Sequence, residues 1–329
     1  MRKMEVTKIG EEGIIAIAQK ATEVSSGVIL GIGDDAAVVE IKGKLLVTTD
    51  LLVENVHFKR NYTKPEILGK KALAVNLSDI AAMGGIPRFC LVSLALPKTT
   101  EVNFVEGFYQ GLKSMAKEYG VTLIGGDTTG AGSEIMVAVT VLGEALEEGV
   151  LTRSGAKPGD GVYVSGYLGD SAAGLYLLLK EKLGLLPEEV EKYLISRHLE
   201  PEPRLELGQL LCREKFATST NDLSDGLVKK LQEIARSSGV EITINREKIP
   251  LSFALLTFCQ QFTLKPLDLA LHGGEDYELL FTVPAEKEEE LFKLDLPLFK
   301  IGMVTGYDER GRVKAEDGVV LQDRGFQHF

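Results

Sequence analysis

The sequence predicts an α/β (α+β) protein of two domains, in which mixed sheets are covered by helices. Helical and strand patterns alternate along the chain, which is typical of sheets packed under helices. The length of 329 residues predicts about two domains at roughly 150 residues each. An apolar fraction of 44% and a charged fraction of 26% indicate a globular protein, and they exclude disordered, collagenous and coiled-coil chains.

In the first half of the chain, apolar spacing predicts three helices and four strands. The helices are Ile9–Thr22, a helix that begins at Pro65 and stops at Gly84-Gly85, and Glu101–Tyr119. The strands are Lys44–Thr49, Phe89–Leu96, Val121–Gly125 and Ile135–Glu144. The composition shifts near Glu147–Gly149. We therefore predict domains over residues 1–148 and 149–329.

The second half repeats this alternation. Strands are predicted at Val162–Ser165, Ala217–Thr220, Glu241–Asn245 and Leu279–Val283. Helices are predicted at Ser171–Lys182, Arg204–Arg213 and Leu227–Ser237. The charge run Glu286–Glu290 predicts a solvated helix face.

The chain has 48 acidic and 37 basic residues, a formal net charge of −11. A field of this sign repels nucleic acid and anionic lipid, and it suits a protein that binds divalent cations through carboxylates. Acidity for solubility alone is the alternative. The scattered cysteines, Cys90, Cys212 and Cys259, disfavour a zinc ribbon or a disulfide framework. Without a visible secretory signal or a long apolar run, we predict a cytoplasmic protein with no membrane or nucleic-acid partner.

The segment Gly31–Ala36 matches the loose dinucleotide-binding pattern G-x-G-x-x-A, but its context argues against that function. A dinucleotide loop opens a helix, whereas here Val38-Val39 predicts a strand. Asp34 and Asp35 would also repel a phosphate unless a metal ion lay between them. A plain polar turn is the alternative for this pair. The Walker motif and the protein-kinase motifs are absent from the sequence.

Six oxygen-rich segments lie at predicted strand or helix ends, and together they predict a metal site. They are Gly31–Ala36, Thr48-Thr49-Asp50, the helical pair Asn76 and Asp79, Gly125–Thr129, Asp222–Gly226 and Gly273–Glu278. Such ligands suit Mg²⁺, Mn²⁺ or Ca²⁺ rather than zinc or copper. Singly, Asp79 could be a surface aspartate, and Ser224 or Asp225 could be a helix N-cap. Taken together, the segments indicate magnesium-dependent chemistry on phosphates.

Several motifs in this order resemble those of the thiamine-monophosphate kinase family, which shares a superfamily with aminoimidazole-ribonucleotide synthetase. They are GIGDDAAVV (31–39), LLVTTDLLVENVHF (45–58), AVNLSDIAAMGG (74–85), GGDTTG (125–130), SGYLGDSAAGL (165–175), RHLEPEPR (197–204), DLSDGL (222–227), GGEDYELLFTV (273–283) and GFQHF (325–329). The resemblance implies transfer of the γ-phosphoryl group of ATP to thiamine monophosphate. It also implies the two-domain aminoimidazole-ribonucleotide synthetase-like fold, several Mg²⁺ ions and a homodimer. The N-terminal domain would bind ATP and Mg²⁺ and form the dimer, and the C-terminal domain would complete the active site.

The same resemblance implies roles for individual residues. The metal ligands would be Asp35, Thr48, Thr49, Asp50, Asp79, Asp127, Asp222 and Asp225. Tyr109, Gly126, Asp127, Arg153 and Ser224 would contact ATP, and His57, Glu275 and Phe326 the thiamine substrate. Phe326 stands where the family usually has tryptophan. No catalytic base is implied, because the attacking phosphate oxygen is already largely ionised at neutral pH.

Two other functions remain open at this point. The first is another enzyme of the same superfamily; residues 9–33 contain no cysteine, which disfavours selenophosphate synthetase, and the GGEDYEL segment disfavours aminoimidazole-ribonucleotide synthetase. The second is a non-catalytic protein that senses or binds magnesium-nucleotide. The complete ligand set argues against it, since a sensor has no need to retain both metal clusters.

Overall fold

A computed structural model describes residues 4–20, 26–33 and 36–325. The chain divides into two compact units. The N-terminal unit comprises Met1–Ile80 and Gly85–Ala145, and the C-terminal unit comprises Ala81–Gly84 and Leu146–Phe329. The last residues of the helix that begins at Pro65 therefore belong to the C-terminal unit. The sequence pattern did not predict this.

The N-terminal unit contains three α-helices and six strands within its described residues. The helices are α1 (Gly10–Gln19), α2 (Pro65–Ala82, whose last two residues belong to the other unit) and α3 (Val102–Glu118). The strands are β1 (Val28–Leu30), β2 (Val38–Val39), β3 (Leu45–Val53), β4 (Ile86–Pro97), β5 (Thr122–Ala131) and β6 (Met136–Glu144). β1 and β2 pair by themselves, and the other four form a sheet in the order β3-β6-β4-β5. Only the β4–β5 pair is parallel in that sheet, which is therefore mixed.

Helices α2 and α3 pack very closely, and this contact positions one side of the candidate site. A Cβ atom at Gly111 would lie 1.8 Å from the Glu66 carbonyl oxygen, and one at Gly69 would lie 2.0 Å from the Phe108 carbonyl oxygen. Any larger residue at either glycine would force the helices apart. Between Leu68 and Ile80 the helix α2 is buried on nearly all sides, so polar groups there face other protein groups rather than water.

The C-terminal unit is built on a six-stranded sheet in the order β12-β9-β11-β7-β10-β8. Its strands are β7 (Gly161–Val164), β8 (Ser219–Asp222), β9 (Val240–Ile244), β10 (Leu279–Val283), β11 (Phe299–Tyr307) and β12 (Val313–Ala315). Its helices are α4 (Asp170–Leu179), α5 (Glu188–Leu199), α6 (Leu205–Arg213), α7 (Leu227–Ser238), α8 (Phe253–Phe262), α9 (Pro266–His272) and α10 (Glu288–Phe292). β7, β8 and β10 are buried along their whole length, so the sheet forms the core of this unit.

Most predicted elements are present within a few residues of the expected limits. α2, α3, α7 and β10 follow their predicted segments closely, and the Val38-Val39 strand that argued against a dinucleotide loop is β2. The predicted end of a strand at Gly125 is wrong, because β5 continues through Gly125–Thr129 to Ala131. The predicted end of the first strand at Asp50 is also wrong, because β3 runs on to Val53. β1, α5, α8, α9, β11 and β12 were not predicted.

In the described ranges, none of the helices combines the length and the apolar character needed to cross a membrane. All three cysteines are free thiols buried in the protein, so none of them forms a disulfide.

Candidate active site

The helix-covered face of the N-terminal sheet carries a first group of oxygen donors. Alternation along β3 places Thr48 and Asp50 on the same face as the buried Leu52. Asp79 approaches this face from α2, and its Oδ2 accepts a hydrogen bond of 2.5 Å from the Thr48 hydroxyl. The structure therefore brings Thr48 and Asp79 into direct contact, with Asp50 next to Thr48 on the same side of the strand.

Thr49 points to the opposite, open face of this sheet. Its hydroxyl donates to the Val139 carbonyl at 3.2 Å and accepts from the Thr140 hydroxyl at 3.0 Å. The alternation of β3 thus separates its side chain from that of Thr48, although the two residues are neighbours in sequence. The assignment of Thr49 as a metal ligand stays a prediction that its side-chain position does not support.

Asp127 also lies on the open face, at the far edge of the sheet. The register of the four strands aligns Asp127 with the exposed Leu51. It aligns Asp50 with Gly126, which is the residue before Asp127. β3 and β5 are the two outer strands, so three strand spacings, about 14 Å along the sheet, separate them. Asp127 and Asp50 therefore cannot hold the same ion within this unit.

A cavity of about 590 Å³ lies beside β5, a size typical of small-molecule sites. Its walls come from α1, from segment 31–33 with Ala36 and Ala37, and from β4 and β5. Tyr109, Gly126 and Asp127 all line it, so the structure brings together three of the residues that the resemblance assigns to ATP. Ile15, Leu91 and Ile124 add apolar surface against which a flat ring could pack.

Gly126 allows β5 to form this wall. Its φ of 154° and the position of its Cα are such that a Cβ atom would lie 1.9 Å from the Val92 carbonyl oxygen. The pairing of β4 with β5 also shifts register between Cys90 and Leu91, so that Ile124 is the extra residue of a bulge. Glycine is required here because the two backbones approach each other too closely for any side chain.

Tyr109 and Lys113 connect α3 to the cavity wall formed by α1. Tyr109 is buried, and burial raises the pKa of its phenol, which stays neutral and able to donate a hydrogen bond. The Lys113 ammonium lies 5.8 Å from the centre of the Tyr109 ring. It donates to the carbonyl oxygens of Ile17, at 3.1 Å, and of Lys20. A cation at the C-terminal end of α1 complements the helix dipole and holds this wall in place.

His57 lies just beyond the end of β3 in the N-terminal unit. Its Nδ1 accepts a hydrogen bond of 3.0 Å from the backbone N–H of Val53. In the neutral ring the proton is then on Nε2, which can donate to a substrate oxygen.

In the C-terminal unit, the end of β8 and the start of α7 form a compact group of charges. The buried Lys230 ammonium lies 3.6 Å from Asp222 Oδ1, 3.3 Å from Asp225 Oδ2 and 3.6 Å from Glu233 Oε2. Burial alone would lower the pKa of Lys230, but the charges of Asp222, Glu233 and Asp225 outweigh it and raise the pKa. Lys229 binds Asp225 from the solvent side at 3.0 Å.

Arg153 and Ser224 contact this same group. The Arg153 Nε donates to Asn221 Oδ1 at 3.1 Å, and its Nη1 lies 3.4 Å from Glu233. Asn221 is buried and donates its side-chain N–H to Glu233 at 2.9 Å. The Ser224 hydroxyl makes a long contact of 3.4 Å with Asp222 Oδ1. The structure therefore brings Arg153, Asp222, Ser224 and Asp225 together.

Glu275 lies in the segment between α9 and β10, with a φ of 64°. Its Oε2 is 3.0 Å from Nδ1 of the buried His198, and the same nitrogen lies 3.1 Å from the Ser171 hydroxyl. Glu275 is 22% exposed while His198 is 2% exposed, so the glutamate presents a surface to solvent and the histidine supports it from inside.

Two further carboxylates of the same segment are structural. Glu278 is 1% exposed and binds the guanidinium groups of Arg197 at 2.8 Å and Arg204 at 2.6 and 2.7 Å. Burial would raise the pKa of Glu278, but these hydrogen bonds and charges hold it below its usual value. Asp276 accepts from the backbone N–H groups of Gly169 and Ser171, and its burial raises the pKa to about 7.

Three sequence-predicted positions lie outside the described residues. Asp34 and Asp35 belong to the first acidic segment, and Phe326 belongs to the final GFQHF motif. Their roles stay predictions.

Reasoning from the sequence missed several residues that hold the site together. Lys230, Glu233 and Asn221 flank the DLSDGL motif, and nothing in their spacing singled them out. His198, Arg197 and Arg204 belong to the RHLEPEPR motif, which was noted for the resemblance but not for any contact. A buried glutamate in GGEDYEL required cationic partners, and the two arginines of RHLEPEPR were candidates for them.

The donor chemistry fits magnesium in both units. Thr48, Asp50 and Asp79 offer neutral and anionic oxygens on one face, and Asp222 and Asp225 already surround a cation, the Lys230 ammonium. Among the described residues, no group of three or more histidine, cysteine, aspartate or glutamate side chains is close enough to hold a metal unaided. Magnesium commonly takes only one or two carboxylates and completes its shell with water and substrate phosphates, so this arrangement suits it.

Comparison with known proteins agrees with this fold. Residues 33–145 match the N-terminal domain of AIR synthase related proteins, and residues 157–314 match the C-terminal domain. The thiamine-monophosphate kinase of Aquifex aeolicus is 42% identical over 99% of this chain and 100% of its own length. That of Bacillus subtilis is 43% identical over 92% of this chain and 94% of its own. The solved structure of AaThiL complexed with AMPPCP and TMP has a TM-score of 0.80 at 41% identity and covers all of both chains.

These matches first define the class of this protein, which is that of the two-domain proteins related to AIR synthase. Its mixed sheets and covering helices are those that the sequence predicted. Within that class, the chain belongs to the thiamine-monophosphate kinase family.

Proposed function

We propose that this chain transfers the γ-phosphoryl group of ATP to thiamine monophosphate in a single in-line step, giving thiamine diphosphate and ADP. The observation that carries the proposal is the similarity to thiamine-monophosphate kinases over 99% of the chain. Because the homologous enzymes bear that name, the reaction is that of the family. The roles of individual residues are proposed from the resemblance and from where the structure places them. We expect the enzyme to act in the cytoplasm.

The cavity beside β5 is the proposed nucleotide site. Gly126 lets the nucleotide approach the backbone of β5, and Tyr109 can donate a hydrogen bond from its neutral phenol. Asp127 carries a carboxylate at the rim, where its Oδ1 accepts from the Thr128 N–H at 2.9 Å. Arg153 and Ser224, in the C-terminal unit, are the further proposed contacts to ATP.

Thr48, Asp50, Asp79, Asp222 and Asp225 are the described residues that we propose as magnesium ligands, with Asp35 and Asp127 as additional candidates. Magnesium, when bound, supplies the positive charge that lets two polyanions meet and that compensates the charge of the leaving group. The role of the carboxylates is to hold this charge in position, because they are negative and already oriented by hydrogen bonds such as that from Thr48 to Asp79.

The reaction needs no catalytic base. The attacking group is a phosphate monoester whose second pKa is about 6, so its oxygen is largely ionised at neutral pH. That oxygen forms a bond to the γ-phosphorus while the bond to the β–γ bridging oxygen breaks, and the electron pair leaves with ADP. His57 and Glu275 are proposed to bind the thiamine substrate, as the resemblance implies. The Val53 N–H orients His57, and His198 holds Glu275.

We also propose that the protein is a homodimer formed through the open face of the N-terminal sheet. Leu45, Val47 and Leu51 project from the edge strand β3 and are 48%, 60% and 52% exposed. An apolar row on an exposed edge strand favours burial against another chain. A Val47→Asp variant should lower the mass measured by light scattering to that of a monomer, whereas Tyr307→Asp, on the C-terminal unit, should leave it unchanged.

The decisive test of the activity is turnover of thiamine monophosphate with ATP by the full chain. Thiamine diphosphate and ADP should form in equal amounts, and EDTA should abolish both. Binding of ATP without any product would instead support a non-catalytic magnesium-nucleotide protein. Inversion at a chirally labelled γ-phosphorus is expected for one in-line step, and retention would contradict it.

Two sets of variants test the assigned roles. Because the three thiols are buried and take no part in the step, replacing Cys90, Cys212 and Cys259 by alanine should leave kcat unchanged in any variant that folds.

Phe326→Ala should raise the KM for thiamine monophosphate about tenfold, the size expected for ~1.4 kcal/mol of stacking and cation–π contact. The KM for ATP should stay nearly constant; an equal change in both would indicate a structural residue.

A further inference from the structure

Lys230 is the most deeply buried lysine of the charged group in the C-terminal unit. Its side chain is 5% exposed, and its ammonium is within 3.3–3.6 Å of Asp222, Asp225 and Glu233. It lies in the first turn of α7, directly after the DLSDG segment that carries two of the proposed magnesium ligands. A cation therefore already stands between the carboxylates that would bind the metal.

Side-chain cations compensate the carboxylates of this group. Besides the contacts of Lys230, Lys229 binds Asp225 and Arg153 binds Glu233. A buried ammonium is stable only if anions compensate for the loss of its hydration, and the same holds for the buried Asp222. This group therefore needs no divalent ion in order to fold, which is unusual for carboxylates that are expected to bind one.

An ammonium and a magnesium ion compete for the same oxygen atoms. Lysine presents a compact charge on a flexible stem, and Mg²⁺ demands carboxylate oxygens at about 2 Å in octahedral geometry. The ion cannot reach Asp222 Oδ1 and Asp225 Oδ2 together while Lys230 remains between them, because two cations at that separation repel each other.

We propose that the Lys230 ammonium is a resident cation that takes the place of one divalent ion between Asp222 and Asp225. The inference rests on the proposed role of these aspartates as magnesium ligands. It predicts that the C-terminal half of the site is neutralised by a side chain in the metal-free enzyme. Mg²⁺ then binds there only by displacing Lys230, and binds more weakly than the carboxylates alone would allow.

The test compares metal binding in the full chain carrying Lys230→Met or Lys230→Gln with the wild type. Each protein is stripped with EDTA, dialysed and titrated with Mg²⁺ alone by calorimetry, and its thermal unfolding is followed with and without Mg²⁺. Both variants should bind Mg²⁺ at least tenfold more tightly than the wild type. Without metal they should unfold at a temperature on the order of 5 °C lower, and Mg²⁺ should restore most of that loss.

Two further variants make the comparison specific. Lys229→Met removes a neighbouring ammonium that binds Asp225 and is 31% exposed, against 5% for Lys230, so its effect on Mg²⁺ affinity should be much smaller. In the double variant Lys230→Met with Asp222→Asn, the gain in Mg²⁺ affinity should disappear, which locates that gain at this group rather than in the N-terminal unit.

Unchanged or weaker Mg²⁺ binding by both Lys230 variants would overturn the inference, as would an equal gain in Lys229→Met. If neither Lys230 variant folds with or without Mg²⁺, the ammonium is a structural element that a metal cannot replace, and the inference also fails. Turnover by the wild type is measured separately. If the wild type is inactive but the Lys230 variants still bind Mg²⁺ more tightly, the proposed reaction is contradicted. The inference that Lys230 is a resident cation then still holds.

Discussion

Two candidate metal ligands of the N-terminal unit have neutral hydrogen-bond donors beside them, whereas one of the C-terminal unit is paired with cations. In the N-terminal unit, Asp127 accepts from a backbone N–H and Asp79 accepts from a threonine hydroxyl. In the C-terminal unit, Asp225 binds two ammonium groups, and the structural carboxylate Glu278 likewise binds two guanidinium groups. Neutral donors orient a carboxylate without cancelling its charge, whereas cations cancel it.

This difference separates function from stability. A carboxylate oriented by neutral donors keeps its attraction for a metal ion, so its removal should affect catalysis more than folding. A buried carboxylate that is paired with cations compensates their positive charge. Its removal leaves buried positive charges without compensation. Variants of Glu278, Asp79 and Asp222 test that distinction, whereas variants of Gly126 and Asp276 test the cavity wall and the effect of burial.

Glu278→Ala should cause the largest loss of stability. Arg197 and Arg204 would lose their shared carboxylate inside the protein, which typically costs about 3–5 kcal/mol in the free energy of unfolding. Denaturation in urea measures it. Glu202→Ala is the matched control, because Glu202 is 71% exposed and touches the same Arg204 at its rim. A loss below 1 kcal/mol for Glu278→Ala would contradict the description of this group as structural.

Asp79→Asn should lower kcat with thiamine monophosphate and ATP at least a hundredfold, about 2.7 kcal/mol of transition-state stabilisation. Its melting temperature should hardly change, because asparagine can still accept the hydrogen bond from Thr48. Asp50→Asn and Asp222→Asn should reduce kcat comparably.

Asp222→Asn tests the difference between the two units directly. In a cluster of like charges, replacing one aspartate by asparagine relieves repulsion and should preserve the fold. Asp222 lies beside Lys230, so for this residue the substitution should also lower the melting temperature. Equal melting temperatures for Asp79→Asn and Asp222→Asn would show that the cationic partner contributes nothing.

Gly126→Ala should damage the cavity wall. The added Cβ would meet the Val92 carbonyl oxygen, so β4 and β5 must separate locally, at a cost of about 1–3 kcal/mol in stability. The KM for ATP should rise, while the KM for thiamine monophosphate should change less. Gly130→Ala, in the same strand but with open space around its Cα, is the control and should leave both constants unaltered.

Asp276 should give stability a dependence on pH. Its folded-state pKa of about 7 lies above the ordinary value of 3.8, so between these values the folded state binds more protons than the unfolded state. The free energy of unfolding should then fall as the pH rises from 4 to 7, by about 1 kcal/mol per pH unit. Asp276→Asn should flatten the curve of urea midpoint against pH. An unchanged slope would mean that the carboxyl group ionises normally despite its burial.

The order of elements and the family were accessible from the sequence because they depend on local pattern. The α2 segment has a proline at its start and two glycines at its end, and β10 is a continuous apolar run, so both were predicted correctly. The α8 and α9 helices escaped prediction because their mixed apolar and polar residues show no clear period. The strand end predicted at Gly125 was wrong because glycine is frequent in turns, whereas here Gly126 allows a close strand contact.

The oxygen-rich segments were also visible in the sequence, but their grouping was not. Thr48 and Thr49 are neighbours in the chain and lie on opposite faces of the sheet. Asp127 and Asp50 are similar in motif and lie on strands at opposite edges. Alternation along a strand could have separated the two threonines, but the distance between the aspartates depends on strand order, which is set by contacts far apart in sequence.

The sequence by itself determined the family, the alternation of helices and strands, and which segments carry oxygen donors, because these follow from residue types and short spacings. Only the tertiary structure decided which donor meets which partner. In the sequence, nothing distinguishes Lys230 from other helix residues. In the folded chain, the end of β8 and the start of α7 bring three carboxylates around it. Electrostatic energy depends on distance and burial, and both are properties of the folded chain rather than of its order of residues.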